Sequence, residues 1–248
     1  MNIHDLIPTP DIFSFKHILF VQPHPDDNEI GAGGTIALCT QKGIQVSYLT
    51  ISKGKGGSQS LSSETLAQLR QKELVEAGQT LGVKTFKQLD LEESHYPVLK
   101  DLVIEIIDVI RDLKPDCVIT VDPTLLYEAH PTHRVVGQAV LDACMFASNR
   151  HFPTSDDKNC KAHKVECVAF YGTAHPNTFI DISSTYNLKL ESIKKHKTQF
   201  DKLGFIQLKQ YLDYRCRENG KEKKLSCVET FKVLPIILTH MCVESEIY

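Results

Sequence analysis

The most informative absence in this sequence is that of any Cys-x-x-Cys pair. Zinc sites built from thiolates need such closely spaced pairs, so this class of site is excluded. Eight cysteines in 248 residues are also too dilute for a small scaffold held together by disulfides. We therefore predict reduced, mostly buried thiols that behave as small hydrophobic side chains. The cysteines stand at positions 39, 117, 144, 160, 167, 216, 227 and 242.

The sequence also lacks an excess of charge of either sign and any long hydrophobic run. Its formal net charge is −3 and its isoelectric point about 6.4, so the electrostatic signature of a protein that binds nucleic acid or anionic membranes is missing. No apolar stretch is long enough to cross a bilayer, and residues 1–10 lack the basic start and apolar run of a signal peptide. We predict a soluble cytoplasmic protein with no membrane anchor and no nucleic-acid partner.

What the sequence does contain is a regular alternation of strand and helix patterns. Short apolar and β-branched runs alternate with amphipathic segments as far as residue 147. This order is typical of an α/β fold with a Rossmann-like, doubly wound and mostly parallel sheet. The predicted strands cover 17–21, 45–51, 83–89, 117–121, 165–171 and 178–182. The predicted helices cover 30–42, 63–81, 98–113, 133–147, 186–200 and 205–217.

Nothing in the sequence marks a boundary between domains. It has no linker rich in Pro, Gly or Ser, no internal repeat and no low-complexity run. With 42% hydrophobic and 24% charged residues, its composition is that of a globular protein able to bury a substantial core. We predict a single domain over 1–248, with a core at about 16–200 and an elaboration of helices and strands over 201–248.

A histidine and two adjacent carboxylates follow the first predicted strand, in the segment His24-Pro-Asp-Asp27. The charges of Asp26 and Asp27 repel each other unless a cation or a proton offsets the repulsion. One carboxylate could then ligate a metal ion while the other accepts a proton from water. The alternative interpretation is that both acids merely cap the helix predicted from Ile30, where the helix dipole favours negative charge.

Two further histidines, His130 and His133, follow the fourth predicted strand. Their spacing of three can place both rings on the same side of a helix start, and Pro131 is suited to the first turn. Exposed surface histidines show the same pattern, so by itself this pair is a modest signal.

Topology joins the two motifs. In a doubly wound sheet, ligands bind beyond the carboxyl ends of the strands where the strand order reverses, commonly between the first and fourth strands. His24, Asp27 and one of His130 and His133 then provide two imidazoles, a carboxylate and an open position. This is the ligand set of a catalytic zinc ion. Non-haem Fe²⁺ accepts the same ligands, so iron remains an alternative.

Such a site predicts metal-assisted hydrolysis of an amide or an ester. The metal would lower the pKa of a bound water and polarise the carbonyl group, and Asp26 would take the proton. The histidine that is not a ligand would stabilise the oxyanion or protonate the leaving amine.

Two other functions stay open on the residues alone. The Gly31-x-Gly33 pattern suggests a metal-free, Rossmann-type nucleotide-binding module, although the dinucleotide fingerprint needs a third glycine where Ile36 stands. The glycine-rich loop at 53–58 also lacks the spacing of a phosphate-binding loop. An iron-dependent oxygenase would use the same three ligands, but the neighbouring base Asp26 argues against it.

Taken together, these motifs resemble the PIG-L/LmbE-type family of zinc-dependent N-acetylglucosaminyl deacetylases. Residues 24–35 are close to the family pattern HPDDxExGxGGT, and His130-Pro-Thr-His133 is similar to HPDH. Residues 70–83 resemble the family's RxxExxxAxxxLGV helix, and His196-x-x-Gln199 resembles HxSQ. The resemblance extends over roughly residues 17–200.

The resemblance implies a zinc-dependent deacetylase that removes the acetyl group from a small N-acetylated amino sugar or its conjugate. The aglycone of that sugar is not readable from the sequence. Family members often form closed homo-oligomers, so a homo-oligomer is an open alternative to a monomer. By position, the implied zinc ligands are His24, Asp27 and His133, the general base is Asp26, and the oxyanion stabiliser or acid is His130.

The resemblance also implies two contacts with sugar hydroxyls. Arg70 matches a position that makes such a contact, and Asp90, after the third predicted strand, is expected to make another. The alternative interpretation is that Arg70 is a solvated helix residue and Asp90 a turn residue.

The chain departs from the family pattern at Thr132, where the family usually has an aspartate that orients the neighbouring histidine. A hydroxyl is a weaker partner for an imidazolium. Three outcomes are open: another carboxylate such as Glu128 replaces it, catalysis depends less on His130, or activity is impaired. We expect an active enzyme, because every implied ligand and the base are present.

Overall fold

The centre of the protein is a single sheet. The computed structural model describes residues 2–91, 98–152 and 161–248. The strands are β1 (His17–Gln22), β2 (Gln45–Ser52), β3 (Thr85–Leu91), β4 (Cys117–Val121), β5 (Cys167–Tyr171), β6 (Thr178–Asp181) and β7 (Val228–Pro235). The α-helices are α1 (Ile3–Leu6), α2 (Asp27–Gln41), α3 (Ser63–Thr80), α4 (Leu99–Leu113), α5 (Pro131–Phe146), α6 (Tyr186–Ile193) and α7 (Lys202–Gly220), and short 3₁₀ turns cover Ile12–Ser14, Ile236–Thr239 and Val243–Glu246.

The strands are arranged in the order β3-β2-β1-β4-β5-β7-β6. The pairs among β1 to β5 are parallel, whereas β7 runs antiparallel to both β5 and β6. The order reverses between β1 and β4, which are neighbours, with Ile18 opposite Cys117. The predicted doubly wound, mostly parallel α/β class is therefore confirmed, and the switch point lies where β1 and β4 end.

The first strand shows why the sheet is covered on both faces. Successive side chains of a strand point to opposite faces. Ile18 and Phe20 of β1 belong to one hydrophobic core, shared with α2 and α3, while Leu19 and Val21 belong to a second, shared with α4 and α5. All four are fully buried, which explains the uninterrupted apolar run in this strand. Within the described residues, no helix has the length and apolarity needed to cross a membrane.

Several helix boundaries differ from the sequence prediction, and two of the differences bear on the site. The helix predicted over 30–42 begins at Asp27, because the backbone turns sharply at Asp26. The helix predicted over 186–200 ends at Ile193, and the backbone N–H groups of Gln199 and Phe200 both donate to the carbonyl oxygen of His196 in the turns that follow. The His196 side chain in these turns is completely buried.

β7 is the strand that the sequence interpretation missed. It mixes charged and apolar residues along 228–235, a pattern that favours no buried strand. Glu229 and Lys232 are nevertheless buried, because other parts of the chain provide their partners. Lys232 Nζ, for example, donates to backbone oxygens of Glu246 and Tyr248 at 3.0 and 2.9 Å. Partners that are distant in sequence leave no pattern within residues 228–235 that would predict a buried strand.

The prediction that all the cysteines are reduced is wrong for two of them. Cys216 in α7 and Cys227, just before β7, form a disulfide. The chain returns from α7 to β7 and brings their Cα atoms to 4.4 Å, although they are 11 residues apart in sequence. The free thiols are buried at Cys39, Cys117, Cys144 and Cys167 and partly exposed at Cys242, and Cys160 lies outside the described residues.

The glycines of α2 serve close packing. A Cβ on Gly31 would overlap the ring of Tyr171, and one on Gly33 would lie 3.0 Å from Lys189 Cγ. One on Gly34 would lie 2.6 Å from Ile182 Cδ1. Only a glycine permits such approaches without displacing the neighbour. Packing therefore accounts for the glycines that suggested a nucleotide-binding loop.

A buried ion pair ties β7 to α2 and α6. Glu229 Oε1 lies 2.6 Å from Lys189 Nζ and accepts a hydrogen bond from the Gly34 N–H at 3.0 Å. Glu229 Oε2 accepts from the N–H and the hydroxyl of Thr35, at 2.7 and 2.6 Å. Because both charged side chains are almost completely buried, removing one of them leaves the other charge uncompensated.

We expect Glu229→Ala to lower the free energy of unfolding by about 3–5 kcal/mol, because Lys189 would remain buried without its partner. Urea denaturation followed by circular dichroism measures this quantity. Glu191→Ala, which removes an exposed partner of Lys194, is the matched control, with an expected change within about 0.5 kcal/mol. Equal effects of the two substitutions would contradict this interpretation of the buried pair.

Candidate active site

The predicted site residues meet at the switch point of the sheet. His24, Asp26 and Asp27 follow β1, and His130 and His133 begin α5 after β4. A cavity of about 1040 Å³ opens at this place. Its walls come from the turn after β1, the start of α2, the loop after β2, helix α3, the end of β3, the start of α5 and the turns after α6. The lining residues are His24, Asp26, Asp27, Ile30, Lys55, Gly56, Gly57, Ser63, Glu64, Arg70, Leu91, His130, Pro131, Thr132, His133, Gln199 and Phe200.

Potential donor atoms of three residues converge where the two motifs meet. His24 Nδ1 lies 3.3 Å from His133 Nε2 and 3.3 Å from Asp27 Oδ2. Asp27 Oδ1 lies 3.7 Å from His133 Nε2. Bonds of about 2.0–2.1 Å at tetrahedral angles hold two zinc ligands roughly 3.3 Å apart. The separations and the chemistry of these donors therefore fit a tetrahedral metal ion.

His130 lies on the open side of this group. Its ring centroid is 4.6 Å from that of His24 and 4.8 Å from that of His133, on which it stacks. One nitrogen from each of these three histidines can be chosen such that all lie within 4.8 Å of one another. His130 is exposed at the N-cap position of α5, so its ring is accessible from the cavity.

Asp26 has a backbone conformation that is rare for a residue with a side chain. Its φ angle is +135° and its ψ angle −22°, outside the regions that sterics allow for L-residues. Conformations of this kind cost of order 1–3 kcal/mol and are found mainly at functional sites. Here the turn lets α2 begin at Asp27 while the Asp26 carboxyl stays within the lining of the cavity.

The two neighbouring carboxyls have different acidities in the chain without a metal. Burial raises the pKa of Asp26 to about 7, and the negative charge of Asp27 contributes to the rise. The positive charges of Arg70, His196 and His24 limit that rise. Burial also acts to raise the pKa of Asp27, but the hydrogen bond and charge of His24 outweigh it, so this pKa is lowered. A difference of this kind between the pKa values of two carboxyls allows one to take up a proton while the other stays ionised.

Arg70 is buried and holds Asp26. Its Nη2 donates to the carbonyl oxygen of Pro25 at 2.9 Å and lies 3.2 Å from Asp26 Oδ2, while Nη1 donates to the Gly54 carbonyl at 3.3 Å. Gly54 has a φ of +62°, and a Cβ there would overlap the guanidinium. Arg70 is therefore not a solvated helix residue. It lines the cavity, and its predicted contact with sugar hydroxyls remains a prediction.

Asp90 lies inside β3 rather than after it, next to Leu91, which lines the cavity. Its two carboxylate oxygens pair with Lys53 and Lys55, each at 2.8 Å. The hydrogen bonds from these lysines lower the pKa of Asp90. Since Lys55 lines the cavity, Asp90 holds part of the cavity wall, and its own contact with a sugar remains a prediction.

One buried pair near the site was not given a role from the sequence. His196 Nε2 lies 3.3 Å from Glu29 Oε2, and both side chains are completely inaccessible to solvent. Burial acts to lower the pKa of His196, but the hydrogen bond and charge of Glu29 outweigh it and raise this pKa. Both residues lie in family-like patterns, Glu29 within residues 24–35 and His196 at the start of His196-x-x-Gln199. These patterns are the sequence signal that could have identified the pair. Their pairing brings a positive charge near Asp26.

Glu128, the carboxylate that could replace the family's aspartate, contacts both histidines of the second motif. One of its carboxylate oxygens lies 3.1 Å from His133 Nδ1, and the other accepts from the backbone N–H of His130 at 2.7 Å. Burial acts to raise the pKa of Glu128, but the hydrogen bonds and charges of the two histidines outweigh it and lower this pKa. A carboxylate that could replace the family's aspartate at position 132 is therefore present beside both histidines.

The fold and this cluster define a class: a doubly wound α/β protein whose switch point carries imidazoles and carboxylates suited to a metal ion. The family model described as PIG-L, GlcNAc-PI de-N-acetylase, matches residues 19–144. A diacetylchitobiose deacetylase of Thermococcus kodakarensis is 35% identical over 230 residues, which are 92% of this chain and 86% of that protein. The chain belongs to the PIG-L/LmbE-type deacetylase family, as its motifs predicted.

Two further similarities agree with this assignment. A probable N-acetyl-α-D-glucosaminyl L-malate deacetylase of Bacillus subtilis is 29% identical over 196 residues, 74% of this chain and 83% of that protein. Among solved structures, N,N′-diacetylchitobiose deacetylase from Pyrococcus horikoshii, complexed with its inhibitor MPG, has a TM-score of 0.87 and 30% identity. That similarity covers 92% of this chain and 87% of the other.

We expect the Asp26 carboxyl of the metal-free protein to titrate near pH 7 and to be protonated below that pH. Because the charge of Arg70 lowers this pKa, Arg70→Met should shift the titration to higher pH, whereas Arg70→Lys should shift it less. Carboxyl ¹³C chemical shifts, assigned by comparison with Asp26→Asn, measure the titration. An Asp26 resonance that titrates near pH 4 would contradict the expectation, as would a downward shift in Arg70→Met.

Proposed function

We propose that this protein is a metal-dependent deacetylase that hydrolyses the acetamido group of an N-acetylglucosamine saccharide. The observation that carries the proposal is the convergence of His24, Asp27 and His133 donor atoms at 3.3–3.7 Å, next to the buried carboxyl of Asp26. The relative that acts on diacetylchitobiose covers nearly the whole chain. A β-linked disaccharide of N-acetylglucosamine is therefore the first substrate to test.

The proposed ligands of the metal are His24, Asp27 and His133. Two imidazoles and one carboxylate leave a position open, as in catalytic zinc sites. When bound, Zn²⁺ would act as a Lewis acid toward the acetyl carbonyl and make water more acidic. Fe²⁺ suits the same donors and is the alternative metal.

Asp26 is the proposed general base. Its carboxylate accepts a proton from the water that attacks the acetyl carbon, and a base is most effective when its pKa lies near the working pH. The pKa of about 7 in the metal-free chain will fall when a cation lies nearby, which keeps the carboxylate ionised. The guanidinium of Arg70, 3.2 Å away, holds this carboxylate in place.

His130 is the proposed acid. It is exposed at the start of α5, with its ring next to those of His24 and His133, so it can donate a hydrogen bond to the oxygen on which negative charge develops. It can then pass its proton to the departing amine of the sugar. For the sugar itself, we propose that Arg70, which lines the cavity, and Asp90, which lies beside the cavity-lining Leu91 in β3, bind hydroxyl groups.

We expect protein reconstituted with Zn²⁺ to release acetate from N,N′-diacetylchitobiose, measured together with the amine that is exposed. Asp26→Asn should retain the metal but lower kcat by about 10²–10⁴-fold, because the proton acceptor is removed. Asp112→Asn, which alters an exposed partner of Lys87, should leave kcat unchanged. Full activity of Asp26→Asn would refute the base assignment, and absence of acetate release with both Zn²⁺ and Fe²⁺ would refute the substrate proposal.

Metal binding can be tested without any assay of turnover. We expect one Zn²⁺ per chain in equilibrium dialysis followed by elemental analysis. Asp27→Ala should weaken binding strongly, because it removes a charged ligand, whereas Asp90→Ala should not. A stoichiometry near zero for the unmodified protein would contradict the proposed site, and so would unchanged affinity in Asp27→Ala.

A further inference from the structure

The carboxylate of Glu128 connects the two histidines of the second motif. Its Oε2 lies 3.1 Å from His133 Nδ1, and its Oε1 accepts a hydrogen bond from the His130 N–H at 2.7 Å. The side chain is about three-quarters buried. A single carboxylate thus contacts the ring of one histidine and the backbone of the other.

The segment that carries Glu128 is itself held in place. The Glu128 N–H donates to the carbonyl oxygen of Leu125 at 3.0 Å, closing a turn after β4. The guanidinium of Arg134, in the first turns of α5, donates to the Glu128 carbonyl oxygen at 2.8 Å. The carboxylate therefore approaches His133 from a backbone that is fixed on both sides.

The two nitrogens of His133 have different surroundings. Nε2 faces His24 Nδ1 and Asp27 Oδ1, at 3.3 and 3.7 Å, whereas Nδ1 faces Glu128. A histidine that binds a metal through one nitrogen almost always donates its other N–H to a carboxylate, a carbonyl or a water. This second bond selects the tautomer, fixes the plane of the ring and makes the ligating nitrogen more basic.

We propose that Glu128 is a positioning residue that keeps the proton of His133 on Nδ1 and aims its Nε2 at the metal position. The inference rests on the proposed function, because it assigns Glu128 to the same site. It also bears on Thr132, where the family pattern has a carboxylate. Thr132 is buried one residue before His133, and Glu128 brings a carboxylate to the same pair of histidines from the preceding loop.

A purely structural role for Glu128 predicts something different. Its bond to the N–H of His130, the N-cap residue of α5, by itself ties the start of this helix to the preceding turn and contributes to stability. Loss of such a bond at a helix start changes the free energy of unfolding and leaves the intrinsic zinc affinity of the folded chain as it was. Loss of a positioning carboxylate lowers the zinc affinity, typically by about 10–100-fold.

The experiment compares variants by zinc competition with a chromophoric chelator at fixed pH. Glu128→Ala should lower the affinity by about 10–100-fold. Glu128→Gln keeps an oxygen that can accept from Nδ1–H but loses the charge, so its affinity should fall between those of Glu128→Ala and the unmodified protein. Asp201→Ala removes the carboxylate cap of α7, which accepts from the Gly204 N–H at 2.7 Å, and should reduce stability without changing the affinity.

A rescue variant and an NMR measurement complete the test. Thr132→Asp in the Glu128→Ala background should restore part of the affinity, because it returns a carboxylate to the motif. The ¹⁵N shifts of His133 in the zinc-loaded protein should show a proton on Nδ1. Glu128→Gln, the more conservative variant, provides the comparison if Glu128→Ala does not fold.

The possible results separate this inference from the proposed function. If the unmodified protein binds zinc and releases acetate but both Glu128 variants keep its zinc affinity, the positioning role is refuted and the proposed function stands. If the unmodified protein binds no zinc, both fail together. Equal loss of affinity in Asp201→Ala and Glu128→Ala would also overturn the inference, since lost stability at a helix start would then explain the effect.

Discussion

Two carboxylates that are adjacent in sequence impose the main constraint on this structure. Asp26 is 6% exposed, so water screens its repulsion from Asp27 poorly. The compensating groups approach from different sides: Arg70 pairs with Asp26, whereas His24 and His133 face Asp27. The two acids thereby differ in pKa, and such a difference allows neighbouring carboxyls to act separately as base and as ligand.

This compensation depends on the topology of the sheet. Because β1 and β4 are neighbours, the turn after β1 and the start of α5 meet although more than 100 residues separate them. Arg70 extends from α3, and its guanidinium can lie where it does only because Gly54, with a φ of +62°, has no Cβ. The strained backbone at Asp26 lowers the stability of the folded state by about 1–3 kcal/mol. The contacts of Arg70 and α2 hold this turn in place.

Signals that are local in sequence predicted much of the fold and site, and contacts between distant residues account for the rest. β4 was predicted with its observed bounds, because an apolar run buried on both faces needs no distant partner to be recognised. The motifs predict that His24, Asp27 and His133 share one site, and their donor atoms lie 3.3–3.7 Å apart. β7, the Cys216–Cys227 disulfide and the φ angle of Asp26 escaped prediction, since each depends on residues that only the tertiary fold brings into contact.

The buried ion pair of Lys189 and Glu229 contributes to the geometry of the site, because it contacts the backbone of α2. A buried ion pair adds little net stability compared with apolar residues of the same size, so stability is a poor reason for its presence. Its bonds are directional, however, and they reach the amides of Gly34 and Thr35 inside α2. They therefore favour one rotation and one position of the helix whose first turn holds Asp27. The proposed ligand donor of Asp27 must be placed to within about 0.5 Å, and these directional bonds add to the close packing of Gly31 and Gly34 in meeting that requirement.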